Sequence, residues 1–210
     1  MAALLGIGAI LFSLLYFITD IIELFQGGFS TSQLVLTFAA EAAIPFLVLG
    51  LYSAQRPQIG RLGLVAAATY AYAFVFFTGT VLYALVNHTS DWEMLQKDLG
   101  AWLTIHSALM VVAGVALGVA VARAKVLPRW TGTTLIAGMV LMAATAGLPE
   151  LIRTLAAGVR DLAFAAMGAS VLGGVPLSER PADTAPAQSS ALVRQRQRSH
   201  FYVRVDPRPL

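Results

Sequence analysis

Asp20, Glu23 and Glu41 fall within the stretch Ser13 to Pro45, SLLYFITDIIELFQGGFSTSQLVLTFAAEAAIP, which otherwise consists of two apolar runs and a short polar link. Carboxylates at membrane depth are costly, so they face a protein interior or a wet cavity. Ser13, Tyr16, Asp20 and Glu23 follow one another at spacings of three and four, which places them on one helical face. Gln33, Thr37, Glu41 and Pro45 recur at every fourth residue. Pro45 has no amide hydrogen for the carbonyl of Glu41, which leaves that carbonyl open to water or a ligand. A carboxyl group that exchanges a proton in such surroundings suits a general acid or a proton-linked carrier.

Two further apolar runs carry polar stripes. Thr69, Tyr72, Phe76, Thr80, Tyr83 and Asn87 share one side of the third run, and Trp102, His106, Met110, Gly114 and Gly118 share a face of the fourth. Gly114 and Gly118 form a GxxxG, a pattern that lets a second backbone approach closely and marks a candidate homodimer contact. Counting 1.5 Å per residue places Asp20, Glu41 and His106 in one layer roughly 7–12 Å below one membrane surface. Glu23 and Glu150 fall just above that layer. The expectation is an outward-facing acidic pocket. Asp20, Glu41 and Glu150 are its candidate catalytic residues, and Tyr16, Glu23, Thr37, Tyr72, Thr80, Tyr83 and His106 its candidate ligand contacts. Each has a plainer alternative: Glu23 reaching the headgroups, His106 and the tyrosines as packing, and Glu150 with Arg153 as an interfacial ion pair.

The elements that must hold these residues are transmembrane helices. The chain has 210 residues, of which 58% are hydrophobic and only 12% charged, against about 25% charged in soluble domains. Six apolar spans are long enough to cross a bilayer, at 2–25, 33–52, 63–87, 100–122, 132–149 and 157–176. The fold class expected is therefore an all-α polytopic bundle. The 53–62 and 123–131 loops and the segment after position 176 hold most of the Lys and Arg, while Lys97, Arg153 and Arg160 fall on the other side. The positive-inside bias then puts both termini in the cytoplasm, in a multi-pass protein of the plasma membrane. The 88–99 loop reads as a short interfacial helix capped by Ser90 or Asp91, with Trp92 and Trp102 at the outer interface and Trp130 at the inner one.

The chain divides into a six-helix membrane domain, 1–176, and a segment, 177–210, that begins as a Pro/Ser/Ala linker and ends as a basic tail. The net charge of +3 is concentrated in that tail, which argues against a nucleic-acid binder and for contact with anionic lipid or a docking partner. There is no cysteine, so thiolate chemistry and cysteine metal sites are excluded. Phosphate-loop, dinucleotide, zinc-hydrolase and serine-hydrolase motifs are absent, and one embedded histidine does not suit a b-type haem. No cofactor and no metal site is expected.

The runs FITDIIELFQGGFS, AAEAAIPFLVLGLY, YAYAFVFFTGTVLYALV and VLPRWTG resemble a group of uncharacterised six-helix integral membrane proteins of high-GC bacteria, over residues 5–175. That resemblance implies the fold and no activity. A weaker resemblance is to small membrane-embedded isoprenoid cyclases of the meroterpenoid and lycopene types. It implies that Glu41, and Glu150 within Leu148-Pro149-Glu150, act as the acid that starts cyclisation. The chain departs from the lycopene-type pattern at Leu151, where a second acid normally follows the first. Three functional classes follow: a carrier or binder of a hydrophobic small molecule in the bilayer, an acid-initiated terpene cyclase, and an accessory subunit docking through its tail.

Overall fold

A computed structural model describes residues 2–174, and among these the secondary structure is entirely helical. The elements are α1 (Ala2–Gln26), α2 (Thr31–Ala54), α3 (Gly60–Asn87), α4 (Trp92–Leu99), α5 (Ala101–Ala124), α6 (Arg129–Ala144) and α7 (Glu150–Leu172). The linker and basic tail, 177–210, lie outside the described residues.

Local chemistry sets the helix ends. The Ser30 hydroxyl accepts the amide of Gln33 at the start of α2, and the Asp91 carboxylate accepts the amide of Met94 at the start of α4. Of the two expected caps for α4, Asp91 is therefore the one used. Gly100 separates α4 from α5 with φ +51°, a conformation that a side chain disfavours. Pro128 and Pro149 stand at the N-caps of α6 and α7, so the missing amide hydrogen costs neither helix an internal bond.

Five helices, α1, α2, α3, α5 and α7, are long and apolar enough to cross a membrane. The expected span 132–149 is corrected. Its helix is α6, only 16 residues long, or about 24 Å. It stops at Ala144, before the Gly147-Leu148-Pro149 link. The expected span 157–176 is corrected as well, because Pro149 starts α7 at Glu150. Arg160 and Asp161, near the start of the expected span, are consequently in mid-helix and buried.

Six helices close a ring in the order α1, α2, α3, α5, α6, α7, with α7 returning to α1. Small residues permit the tight seams. Gly6 and Gly168 bring α1 against α7, and Gly118 and Gly132 bring α5 against α6. The GxxxG face is thus used within the chain: a Cβ on Gly118 would meet the Gly132 carbonyl at 2.7 Å, and one on Gly114 would meet Met139 at 2.7 Å. Both glycines are buried, so the face expected to hold a second copy is already covered.

Helix direction alternates around the ring, and the contact of Gly6 with Leu172 brings the start of α1 to the end of α7. The loops with Arg56, Arg61, Arg123, Lys125 and Arg129 share that basic end, while α4 lies at the other. The aromatic and aliphatic core fills the basic half, with Tyr70, Phe74, Leu135, Met139, Phe164 and Met167 all buried. The α4 half is hollow.

The Asp91 carboxyl is held below the usual carboxylate range, first by the Ser90 hydroxyl and then by the Met94 amide. A depressed folded value means that the cap stabilises above the unfolded carboxyl's value, about 4, and that this contribution is lost as pH falls through the folded value. Asp91→Ala is expected to speed amide exchange in α4 about fivefold at neutral pH, from a cap worth about 1 kcal/mol, and to have little effect once pH has fallen below the folded carboxyl's value. Exchange rates at Met94–Lys97 across that range check both parts.

Candidate functional site

The hollow is a cavity of about 660 Å³ bounded by α1, α2, α3, α5, α6 and α7 and roofed by Trp92 and Leu95 of α4. Its floor is aromatic. Tyr16 meets Phe74 edge-on at 6.2 Å between ring centroids, and Tyr70 lies behind, 5.1 Å from Phe74. Arg160 is 2% exposed and lines the cavity. Its guanidinium is 4.7 Å from the centroid of the Tyr16 ring, within cation–π range. It donates from Nε to Asp161 Oδ1 at 2.8 Å, and Nη2 is also 2.8 Å from that oxygen. Among the described residues this is the only ion pair within 4 Å.

The wall formed by α1 and α2 is polar because the two spaced stripes face each other. Tyr16 donates its hydroxyl to Glu41 Oε1 at 2.9 Å. Glu41 is 3% exposed, and its Oε2 is buried with no protein partner. Nearer α4, Gln33 donates to Thr37 Oγ1 at 3.1 Å and to Glu23 Oε2 at 3.4 Å. The Thr37 hydroxyl returns a bond to the Gln33 carbonyl at 3.0 Å, and Gln33 Oε1 is buried and unpartnered. Helix α2 runs unbroken through Pro45, so Glu41 is held on a rigid element one turn before it.

Asp20 and Glu41, the pair on which the pocket expectation rested, line the same cavity, together with Tyr16, Glu23, Thr37, Thr80 and Glu150. Three expected contacts lie elsewhere and are corrected. His106 is buried, but it stacks on Phe76 at 3.7 Å in the α3–α5 seam. Its Nδ1 is 2.8 Å from the Trp102 carbonyl and its Nε2 3.2 Å from the Tyr72 hydroxyl. Tyr72 is 56% exposed on the outer surface of α3. Tyr83 packs with Leu34, Val81 and Leu95 and is not part of the lining. The fourth helical stripe is divided among neighbours: His106 lies in the α3–α5 seam, Met110 lines the cavity with Thr104, Ser107, Ala108, Val111 and Val112, and Gly114 and Gly118 meet α6.

Sequence reasoning did not assign Arg160, Asp161, Arg153 and Trp92 to the site. The signal for the first three was Pro149, a helix-starting residue that extends α7 back through Arg153 and sets Arg160 and Asp161 in mid-helix. Thr154, Ala157, Arg160 and Asp161, Phe164, Gly168 and Val171 then recur at helical spacing. Glu150 and Arg153 line the cavity one turn apart without forming the expected ion pair.

The walls differ in character. Asp20, Glu23, Glu41 and Glu150 supply acceptors, while Leu34, Val81, Met110, Val111 and Met142 supply an apolar remainder. Such a site holds a molecule with an apolar body and a hydrogen-bonding head. Comparison with protein-family models, with curated proteins and with solved structures finds no match for this chain.

Removing one member of a buried ion pair strands the other, at a cost of about 3–5 kcal/mol, whereas replacing both is tolerated better. Arg160→Met and Asp161→Leu are each expected to lower the thermal midpoint in detergent by several degrees more than the double substitution does. Equal losses in all three variants would show that the pair contributes only packing.

Proposed function

We propose that this chain is a membrane-embedded binding protein, and by extension a carrier, for an amphiphile that partitions into the bilayer. The amphiphile's polar head is a hydrogen-bond donor or a cation. The observation that carries this reading is the free Oε2 of Glu41, buried at the closed end of a 660 Å³ cavity. An unsatisfied buried acceptor is expensive, and a donating ligand head would satisfy it. Charge agrees: four carboxyl groups line the cavity against Arg153 and Arg160, and Arg160 is already engaged by Asp161. The volume lies within the usual range of small-molecule sites. In this reading the basic loops lie on the cytoplasmic side, by the positive-inside bias, and the α4 end faces outward.

A second reading has one observation in its favour. A carboxyl group beneath aromatic walls, here Tyr16, Phe77 and Trp92, is the arrangement needed to protonate an isoprenoid and shield the resulting cation. In that reading Glu41 is the general acid. The accessory-subunit reading expects a filled interior, which the cavity does not support.

The test uses the full chain in nanodiscs, with Trp102→Phe and Trp130→Phe leaving Trp92 as the reporter inside the cavity. Dodecylamine is expected to bind at least tenfold more tightly than dodecanol or dodecanoate. Glu41→Gln is expected to weaken the amine about 10- to 100-fold, the value of one charge-assisted hydrogen bond of about 1.5–3 kcal/mol. Equal affinity for all three probes, or no saturable binding, overturns the proposal. Cyclised product from an added isoprenoid, lost in Glu41→Gln, favours the enzyme reading.

A further inference from the structure

The cavity has two rims of different chemistry. Toward α4 the rim is polar, with Glu23, Glu150 and Arg153 half-buried. The second rim runs along the seam between α5 and α6. There the lining residues Thr104, Ala108 and Val112, spaced by four on α5, are also exposed on the outer surface, as are Ala143 and Ala146 beside the end of α6. Val112 is 68% exposed. By contrast the α2 and α3 lining, Gln33, Leu34, Thr37, Glu41, Phe77, Thr80, Val81 and Ala84, is buried throughout. A residue that faces both the cavity and the outside marks a gap in the wall.

Helix length causes the gap. α5 has 24 residues and α6 only 16, a difference of about 12 Å. The two helices touch closely at their basic ends, through Gly118 with Gly132 and Gly114 with Met139. Beyond Ala144 the chain turns through Thr145–Pro149 into α7, which does not pack along α5. The last turns of α5 toward α4 therefore have no neighbour on that side, and the flanking side chains Ala108, Ala143 and Ala146 are too small to cover the space.

We infer that the seam between the α4-proximal half of α5 and the α6–α7 link is a lateral portal, through which the amphiphile enters from the bilayer and in which its alkyl chain rests. This rests on the ligand-binding reading above and specifies its ligand as a single-chain amphiphile drawn from the membrane. Apart from Thr104, whose hydroxyl donates to the Gly100 carbonyl, the portal rim is apolar, and it faces the lipid-exposed surface of two helices of the ring. The unpartnered oxygens of the nine-tenths buried Glu41 and Gln33 lie on the opposite wall, formed by α2. A head drawn to Glu41 leaves its chain pointing out through the seam.

The chain has no native cysteine, so single labels are clean. In vesicles of neutral lipid, Ala108→Trp is expected to slow association of membrane-delivered dodecylamine at least tenfold. The on-rate of water-delivered butylamine, which fits through the polar rim, is expected to fall by a much smaller factor than that of dodecylamine. If dodecylamine associates as fast with Ala108→Trp as without it, the ligand enters by the polar rim and the portal is overturned.

Failure of dodecylamine to bind even the unplugged chain would instead count against the ligand-binding reading. The portal is then judged by a nitroxide on Ala157→Cys, a buried lining residue of α7. Plugging the seam with Ala108→Trp is expected to remove at least half of its collisions with lipid-dissolved oxygen and to leave those with a water-soluble nickel complex unchanged. Unchanged oxygen collisions overturn the portal whether or not the amine binds.

Discussion

The buried pair of Arg160 and Asp161 is the constraint on which the two halves of this molecule depend. A guanidinium cannot sit inside a helical bundle without a counter-charge and a surface to lie on. Asp161 supplies the first and the Tyr16 ring the second. That fixes Tyr16, and Tyr16 in turn fixes Glu41 through its hydroxyl. Three helices, α7, α1 and α2, are thereby registered against each other at one level. Below it the ring is packed with aromatic and sulfur-containing side chains. Above it the interior is open and carries acceptors.

The hollow half follows from side-chain size and helix length together. Where the helices touch they do so through glycine, with backbone against backbone, at Gly6 and Gly168, Gly118 and Gly132, and Gly138 against Arg160. Those contacts bring the basic ends close. Toward α4 the facing residues remain small, but α6 has ended, so the wall thins while the ring stays wide. A cavity and an opening toward lipid thus share one cause. The polar stripes on α1 and α2 line that cavity and face away from lipid, which is the condition under which intramembrane carboxylates are sustained.

Much of this was legible in the residue order. Spacings of three and four on Ser13–Glu23 and of four on Gln33–Pro45 required two polar faces, and in two neighbouring antiparallel helices those faces met. The placement of Asp20, Glu23, Glu41 and Glu150 around one space followed from depth alone. The stripe on α5 was less informative. Trp102, His106 and Gly114 do share a face, but one face can meet several neighbours: His106 found Phe76 and Tyr72 of α3, Met110 the cavity, and Gly114 and Gly118 found α6. Periodicity names a face without naming what it meets. Arg160 and Asp161 were obscured for a different reason. They stand near the start of the expected span 157–176, and only a helix traced back to Pro149 sets them in mid-helix on its buried side.

The sequence by itself determined that this is a helical membrane chain, which residues could not face lipid, and which end of each helix is basic, because burial cost and helical period act locally along the chain. Only the tertiary structure decided that α5 would spend its GxxxG on α6 within the same chain, that Arg160 would lie on Tyr16, and that the short α6 would leave the wall open. Those outcomes depend on which helices become neighbours, and glycine- and alanine-rich helices are compatible with several neighbours. The choice is made by the ring as a whole, through the fit of small residues to one another and the need to pair a buried charge.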